Sequence, residues 1–96
     1  MNPTICDAIR TETVLELRYH DYSRTVEPHA YGRDKVGEEI LRCYQVAGGS
    51  QSRVHAGWKL LKVAEVYAVQ KTNQKFKCRP EYRRNDSAMG YIFVQI

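Results

Sequence analysis

A chain of 96 residues, 43% hydrophobic and 27% charged, is one ordinary globular domain, because halving it would leave two pieces too small to hold cores without staples. The composition excludes a collagen-like or disordered chain. The formal charge of +4 is unevenly spread, since residues 1–52 carry six Lys/Arg against eight Asp/Glu and residues 53–96 carry nine against three. A basic C-terminal part suits an anionic partner such as a nucleotide or nucleic acid, with a merely solvated basic face as the other reading.

Along the chain, "NPTICDAIR" offers Asn2 or Thr4 as an N-cap, Pro3 in the first turn, and Ile5 and Ile9 one turn apart, which predicts a helix of two or three turns within residues 1–12. So short a helix needs tertiary support, here from Ile5, Ala8 and Ile9 packing over the open end or seam of a larger body. In "TVLELRY" the alternation of Leu15, Leu17 and Tyr19 with Glu16 and Arg18 reads as a half-buried strand. "HDYS" turns the chain into a hairpin partner, "RTVEP", which Pro28 ends by withholding its N–H. On that strand Val26 belongs to the core and Arg24 to solvent, and "HAYGRDKVGEE" follows as a polar loop.

"ILRCYQV" is a strand with Leu41 and Cys43 on one face and Arg42 and Tyr44 on the other, followed by the long hairpin loop "AGGSQSRVHAG", of a length that tends to be functional or mobile. "WKLLKV" and "EVYAVQ" are the next strands, bent at Ala64. Residues 71–89 are basic, aromatic and irregular, expected to lie across the body as an ordered extension, and "GYIFVQI" closes the chain as a β-branched and aromatic strand. The pattern predicts a mainly β fold, a small β-barrel with a short N-terminal helix (1–12), a barrel body (13–70) and a C-terminal extension ending in a strand (71–96).

Cys6, Cys43 and Cys78 are widely spaced, odd in number and lack the spacing of a zinc site. They read as buried apolar residues, and no metal or other cofactor is expected. The N-terminus has no apolar segment of the signal-peptide kind and no run approaches membrane-spanning length, so the expected location is the cytoplasm, where thiols stay reduced. His20 sits in a turn, His29 follows the proline and His55 lies in the long loop. None is paired in sequence with a nucleophile or carboxylate, and no HExxH, GxSxG, P-loop or GxGxxG pattern occurs, so a binding protein is expected and not an enzyme.

The richer signal is cations interleaved with aromatics: Arg42 and Tyr44, then Trp58, Lys59 and Lys62, then the run from Lys75 to Arg84. Cations neutralise phosphates and aromatic faces stack on bases. The bland reading is that the aromatics are core and the lysines solvated, with Trp58, on the face of Leu60, in the core.

The chain resembles the WYL domains of bacteria and their viruses over roughly Ile5 to Val69. "ICDAIRTETVLELRY" is similar to the family's opening helix and strand, "SRTVEPHAYG" to its R-x-V-x-P hairpin, "EILRCYQV" to its name-giving strand and "GWKLLKVAEV" to its later basic strand. The tail "RPEYRRNDSAMGYIFVQI" resembles that of small stand-alone members. The resemblance implies an SH3-like barrel acting as a sensor of a negatively charged ligand, nucleotide or single-stranded nucleic acid in a basic groove. The pattern departs at Glu39 and Ile40, which stand where Trp and Tyr would, and at Lys59, Leu61, Ala64 and Glu65 in the later strand. A lysine is a point charge and not a fork, which leaves Arg24 as the forked anion contact. The expected ligand site is therefore Arg24, Arg42, Tyr44, Lys59 and Lys62, with His29 and Tyr31 at its rim or simply in a turn. The alternative is a protein-interaction or self-association module that docks a partner or a second copy through residues 71–96 or the barrel's aromatic surface.

Overall fold

The structure, a computed structural model, describes residues 1–50 and 55–96. The opening helix α1 (Pro3–Arg10) starts where Asn2 accepts a hydrogen bond from the Ile5 N–H at 3.1 Å and Pro3 takes the first position, where its missing N–H costs nothing. Ile5, Cys6, Ala8 and Ile9 form its buried face. Each isoleucine contributes on the order of 2 kcal/mol of apolar burial, which is what a two-turn helix needs to persist.

Strands β1 (Thr13–Tyr19) and β2 (Tyr22–Arg33) form the expected hairpin. His20 and Asp21 adopt positive φ of 50° and 67° between the paired residues Tyr19 and Tyr22, the two-residue turn whose twist matches the strands it joins. Strand β2 does not end at Pro28. It continues for twelve residues in all, and the expected polar loop after Pro28 shrinks to residues 34–38, where the Asp34 carboxylate accepts from the N–H groups of Val36 and Glu38. The proline is accommodated because the ladder with β3 (Glu39–Gly48) slips there: Pro28 faces Cys43, Ala30 faces Arg42, and His29 is the extra residue of a bulge.

That bulge also divides the labour of β2. Its first half pairs with β1, its second half pairs with β6 (Tyr91–Gln95), and β3 lies along its other edge. Gly32 permits the β6 approach, since a Cβ there would sit 2.1 Å from the Tyr91 carbonyl oxygen. Beyond β3, β4 (Gly57–Lys62) pairs in turn, and after a short 3-10 turn (Val63–Glu65) β5 (Val66–Lys75) returns to β1. The six antiparallel strands, in the order β4-β3-β2-β1-β5 with β6 on β2, curl around α1 as the small barrel-like fold expected from the sequence. Strand β5 runs to Lys75, five residues into the stretch expected to be irregular.

The main core lies between the sheet and α1, with Leu15, Leu17, Val26, Tyr31, Leu41, Cys43 and Leu61 meeting the helix. A second, thinner cluster lies on the outer face of β2 and β3, where Ala30 and Ile40 meet Met89, Tyr82 and Ile92. Residues 76–90 form an irregular strap over that outer face. No helix among the described residues is long and apolar enough to cross a membrane.

Candidate functional site

The outer face carries Glu27 of β2, Arg42 and Tyr44 of β3 and Trp58 of β4. Glu27 faces Tyr44 across the ladder and Tyr44 faces Trp58, so direct partners share one side of the sheet. The strap closes on this row. Arg79 holds the Glu27 carboxylate with two hydrogen bonds, 2.8 Å and 3.4 Å, and its guanidinium carbon lies 3.7 Å from the centre of the Tyr44 ring. Seven residues on, Asp86 takes Arg42 through Nε at 2.6 Å and Nη2 at 3.3 Å, and those hydrogen bonds hold its carboxyl below the usual range. Arg42 and Tyr44, expected in a ligand groove, are thus engaged by the chain's own tail: the cation has its counter-charge and the ring its cation.

His29 and Tyr31, expected at a rim or in a turn, lie instead within strand β2. Both are fully buried, because β2 continues past Pro28 and is covered on both faces. The His29 ring lies among Trp58, Phe76 and Tyr82, with centroids 4.8 Å, 5.2 Å and 5.0 Å away. Its Nε2 accepts from the Arg79 N–H at 3.2 Å, which assigns the ring proton to Nδ1, hydrogen-bonded to the Glu27 carbonyl at 2.9 Å. Burial lowers its pKa, against the pull of Glu27 and with the push of Arg79. Tyr31 points into the main core, its hydroxyl donating to Glu39 and accepting from the Asn2 N–H at 2.7 Å. Burial raises the phenol's pKa, and the same hydrogen bond lowers that of Glu39, which also pairs with the N-terminal ammonium at 3.0 Å. Both residues are structural pins, and neither lines a rim.

Arg24 is also not where local reading put it. It shares the inner side of β2 with Val26 and is 5% exposed. Its Nη1 donates to the Gln45 side-chain oxygen at 3.3 Å, and Gln45, itself fully buried, is fixed by donating to the Gly49 carbonyl at 3.1 Å. The guanidinium carbon lies 5.0 Å from the Tyr19 ring centre and 6.0 Å from that of Tyr22. Its Nε is buried with no hydrogen-bond partner, and no ion pair to Arg24 forms among the described residues. Lys59 is paired with Cys43 across the ladder and so lies on the same inner side. Burial pushes the Cys43 thiol up to about 12, while the charges of Arg24, Arg42 and Lys59 pull the other way.

Lys62 falls elsewhere. It is exposed at the end of β4, in a depression it shares with Glu38, Glu39 and Glu65, a surrounding of carboxylates that disfavours an anion. The five residues expected to form one groove, and the two expected at its rim or in a turn, therefore occupy separate places: Arg24 and Lys59 on the inner side of the barrel, Arg42 and Tyr44 under the strap, Lys62 on an acidic rim, and His29 and Tyr31 buried. Among the described residues one histidine–carboxylate pair forms, His20 with Glu65, and both side chains reach solvent, with the His20 ring stacked on Tyr19 at 4.0 Å.

Sequence reasoning missed Glu27, Gln45 and Asp86. Only a pattern of Glu27 facing the cation-bearing side would have hinted at the first, and Asp86 lies 44 residues from the arginine it neutralises. No three His, Cys, Asp or Glu residues gather as metal ligands among the described residues. No protein-family model matches the chain, and no curated protein or solved structure matches it either.

Proposed function

We propose that the protein is a ligand-sensing or regulatory module that binds an anionic ligand, a nucleotide or single-stranded nucleic acid, through the guanidinium of Arg24. The observation that carries this reading is a nearly buried arginine that, among the described residues, has an unpartnered Nε and no carboxylate bound to it. A cation taken out of water without a counter-charge is expensive, and the fork of arginine fits a phosphate's two oxygens in a way no single ammonium does. Gln45, Tyr19 and Tyr22 hold the group without neutralising it, and Lys59 adds positive charge on the same side. The R-x-V-x-P resemblance to WYL domains, in which Arg24 is the retained arginine, points to the same ligand class.

The test is a titration of labelled single-stranded RNA and DNA, and of mononucleotides, at several salt concentrations. Phosphate-driven binding to a single strand should weaken with a log–log slope of about −0.7 per contact. Undetectable binding of oligonucleotides at low salt would remove the nucleic-acid form, and undetectable binding of both would remove the reading. The alternative is docking of a partner or a second copy through residues 71–96 or the aromatic outer face; use of that face would have to displace Arg79 from Tyr44 and Glu27, and light scattering that reports a stable dimer would favour the alternative.

A further inference from the structure

The strap that covers the outer face also leaves a space beside it. Between the Trp58 indole and the turn of residues 81–87 lies a cavity of about 370 Å³, within the size range of small-molecule sites. One wall is aromatic. Trp58 stands edge-on to His29 at 4.8 Å and to Tyr44 at 5.4 Å, and lies within 28° of parallel to Tyr82 at 6.3 Å, so the indole is braced by rings and its orientation is fixed. The other wall is cationic. Arg83 and Arg84 are exposed, line the same cavity, and make no ion pair among the described residues.

The remaining charges are either satisfied or outweighed. Arg42 and Asp86 neutralise one another at the cavity's edge, leaving Glu81 against the two free arginines. The arginine-bearing turn is also held in place before any ligand arrives. Asp86 anchors it to β3, and Asn85, at a φ of 59°, exchanges two hydrogen bonds with the Gln95 side chain of β6, at 2.8 Å and 3.0 Å. A braced ring on one side and two unpaired forks on an anchored turn on the other suit a ligand that joins a flat ring to a phosphate.

We propose that this cavity is a second binding site, distinct from Arg24, for a nucleoside phosphate, with the base against Trp58 and the phosphate taken by Arg83 and Arg84. Stacking accepts any base because every base has a π face, and adjacent arginines supply donors in the planar geometry that phosphate oxygens prefer. The same chemistry is offered by a free mononucleotide and by a nucleotide within a single strand, and the two are distinguished below.

Trp58 is the protein's single tryptophan, so its fluorescence reports this cavity directly. Adenosine monophosphate, a short single-stranded oligonucleotide, phenyl phosphate and inorganic phosphate are titrated separately into the wild-type chain. The proposal expects saturable quenching by the mononucleotide, by the oligonucleotide or by both, the pattern identifying the source, and binding at least tenfold weaker for the double variant Arg83→Ala/Arg84→Ala. Those side chains are exposed and unpaired, so the variant should fold with an unchanged melting temperature. Arg24→Lys should leave the quenching curve where it was, which separates this site from the one proposed above. The assignment is overturned if neither nucleotide ligand quenches Trp58, if the double variant titrates like the wild type, or if phenyl phosphate or inorganic phosphate binds as tightly as the nucleotides.

Discussion

Protonating His29 should loosen the strap. With its proton on Nδ1, the ring uses Nε2 to accept the Arg79 N–H. A second proton would place an N–H against an N–H and a positive ring beside the Arg79 guanidinium, while Glu27 and Glu12 offset part of that charge. The native pKa is lowered, chiefly by burial, so between that value and the unfolded value of about 6.5 the unfolded chain binds the extra proton. The His29 contribution is then complete above about pH 6.5 and is lost as pH falls, at no more than about 1.4 kcal/mol per pH unit for one proton. From pH 6.5 to 4.5 that bounds the loss at about 2.7 kcal/mol. About half of it would lower the melting temperature by roughly 6–10 °C in a domain this small. The carboxylates with lowered pKa, Glu39, Asp86 and Asp7, lose their contributions at lower pH. The assay is urea denaturation at half-unit steps between pH 7.5 and 4.5 for the wild type and His29→Gln, whose side-chain oxygen can still accept the N–H but does not titrate. The wild type should lose stability across this window and the variant should be flat, though weaker at pH 7.5. A wild type without slope, or a variant with the same slope, would refute the role given to His29.

The remaining predictions concern packing and the strap. Leu41→Ala, which removes a fully buried side chain from the centre of the main core, should cost about 2–5 kcal/mol, read from the urea midpoint at unchanged slope. Gly32→Ala forces a Cβ against the Tyr91 carbonyl and should separate β6 from β2, costing on the order of 2 kcal/mol and speeding hydrogen exchange of the Tyr91–Gln95 amides. Asp86→Asn removes the counter-charge of a partly exposed pair and should cost about 1 kcal/mol after allowance for solvent screening. Trp58 emission should shift to longer wavelength if the turn then lifts from the indole.

Helix α1, the β1–β2 hairpin and the alternation of Leu41 and Cys43 against Arg42 and Tyr44 were legible because each has one face buried and one polar, so the period survives in the sequence. The second half of β2 was illegible for the opposite reason. Ala30 meets the outer cluster and Tyr31 the inner core, so no alternation remains, and Pro28 looked like a stop because nothing local announces a bulge. Strand β5 past Gln70 is mostly exposed and carries no apolar stripe to find. Trp58 was read as core by its alternation with Leu60, yet it is half-buried on the outer side, sheltered by a strap that sequence distance hides. Arg24 was read as solvated, yet it follows Val26 inward, as the period of two requires. What the pattern could not supply is that Gln45, 21 residues away, would be its polar neighbour in place of a carboxylate.

The central claim is tested most directly by the Arg24 side-chain N–H signal in a 15N-labelled sample, assigned by its disappearance in Arg24→Lys and followed during titration with a mononucleotide and a short single strand. The account predicts that the orphaned Nε–H moves saturably with ligand and moves back as salt is raised. An Arg24 signal that stays in place while ligand saturates the protein would contradict it.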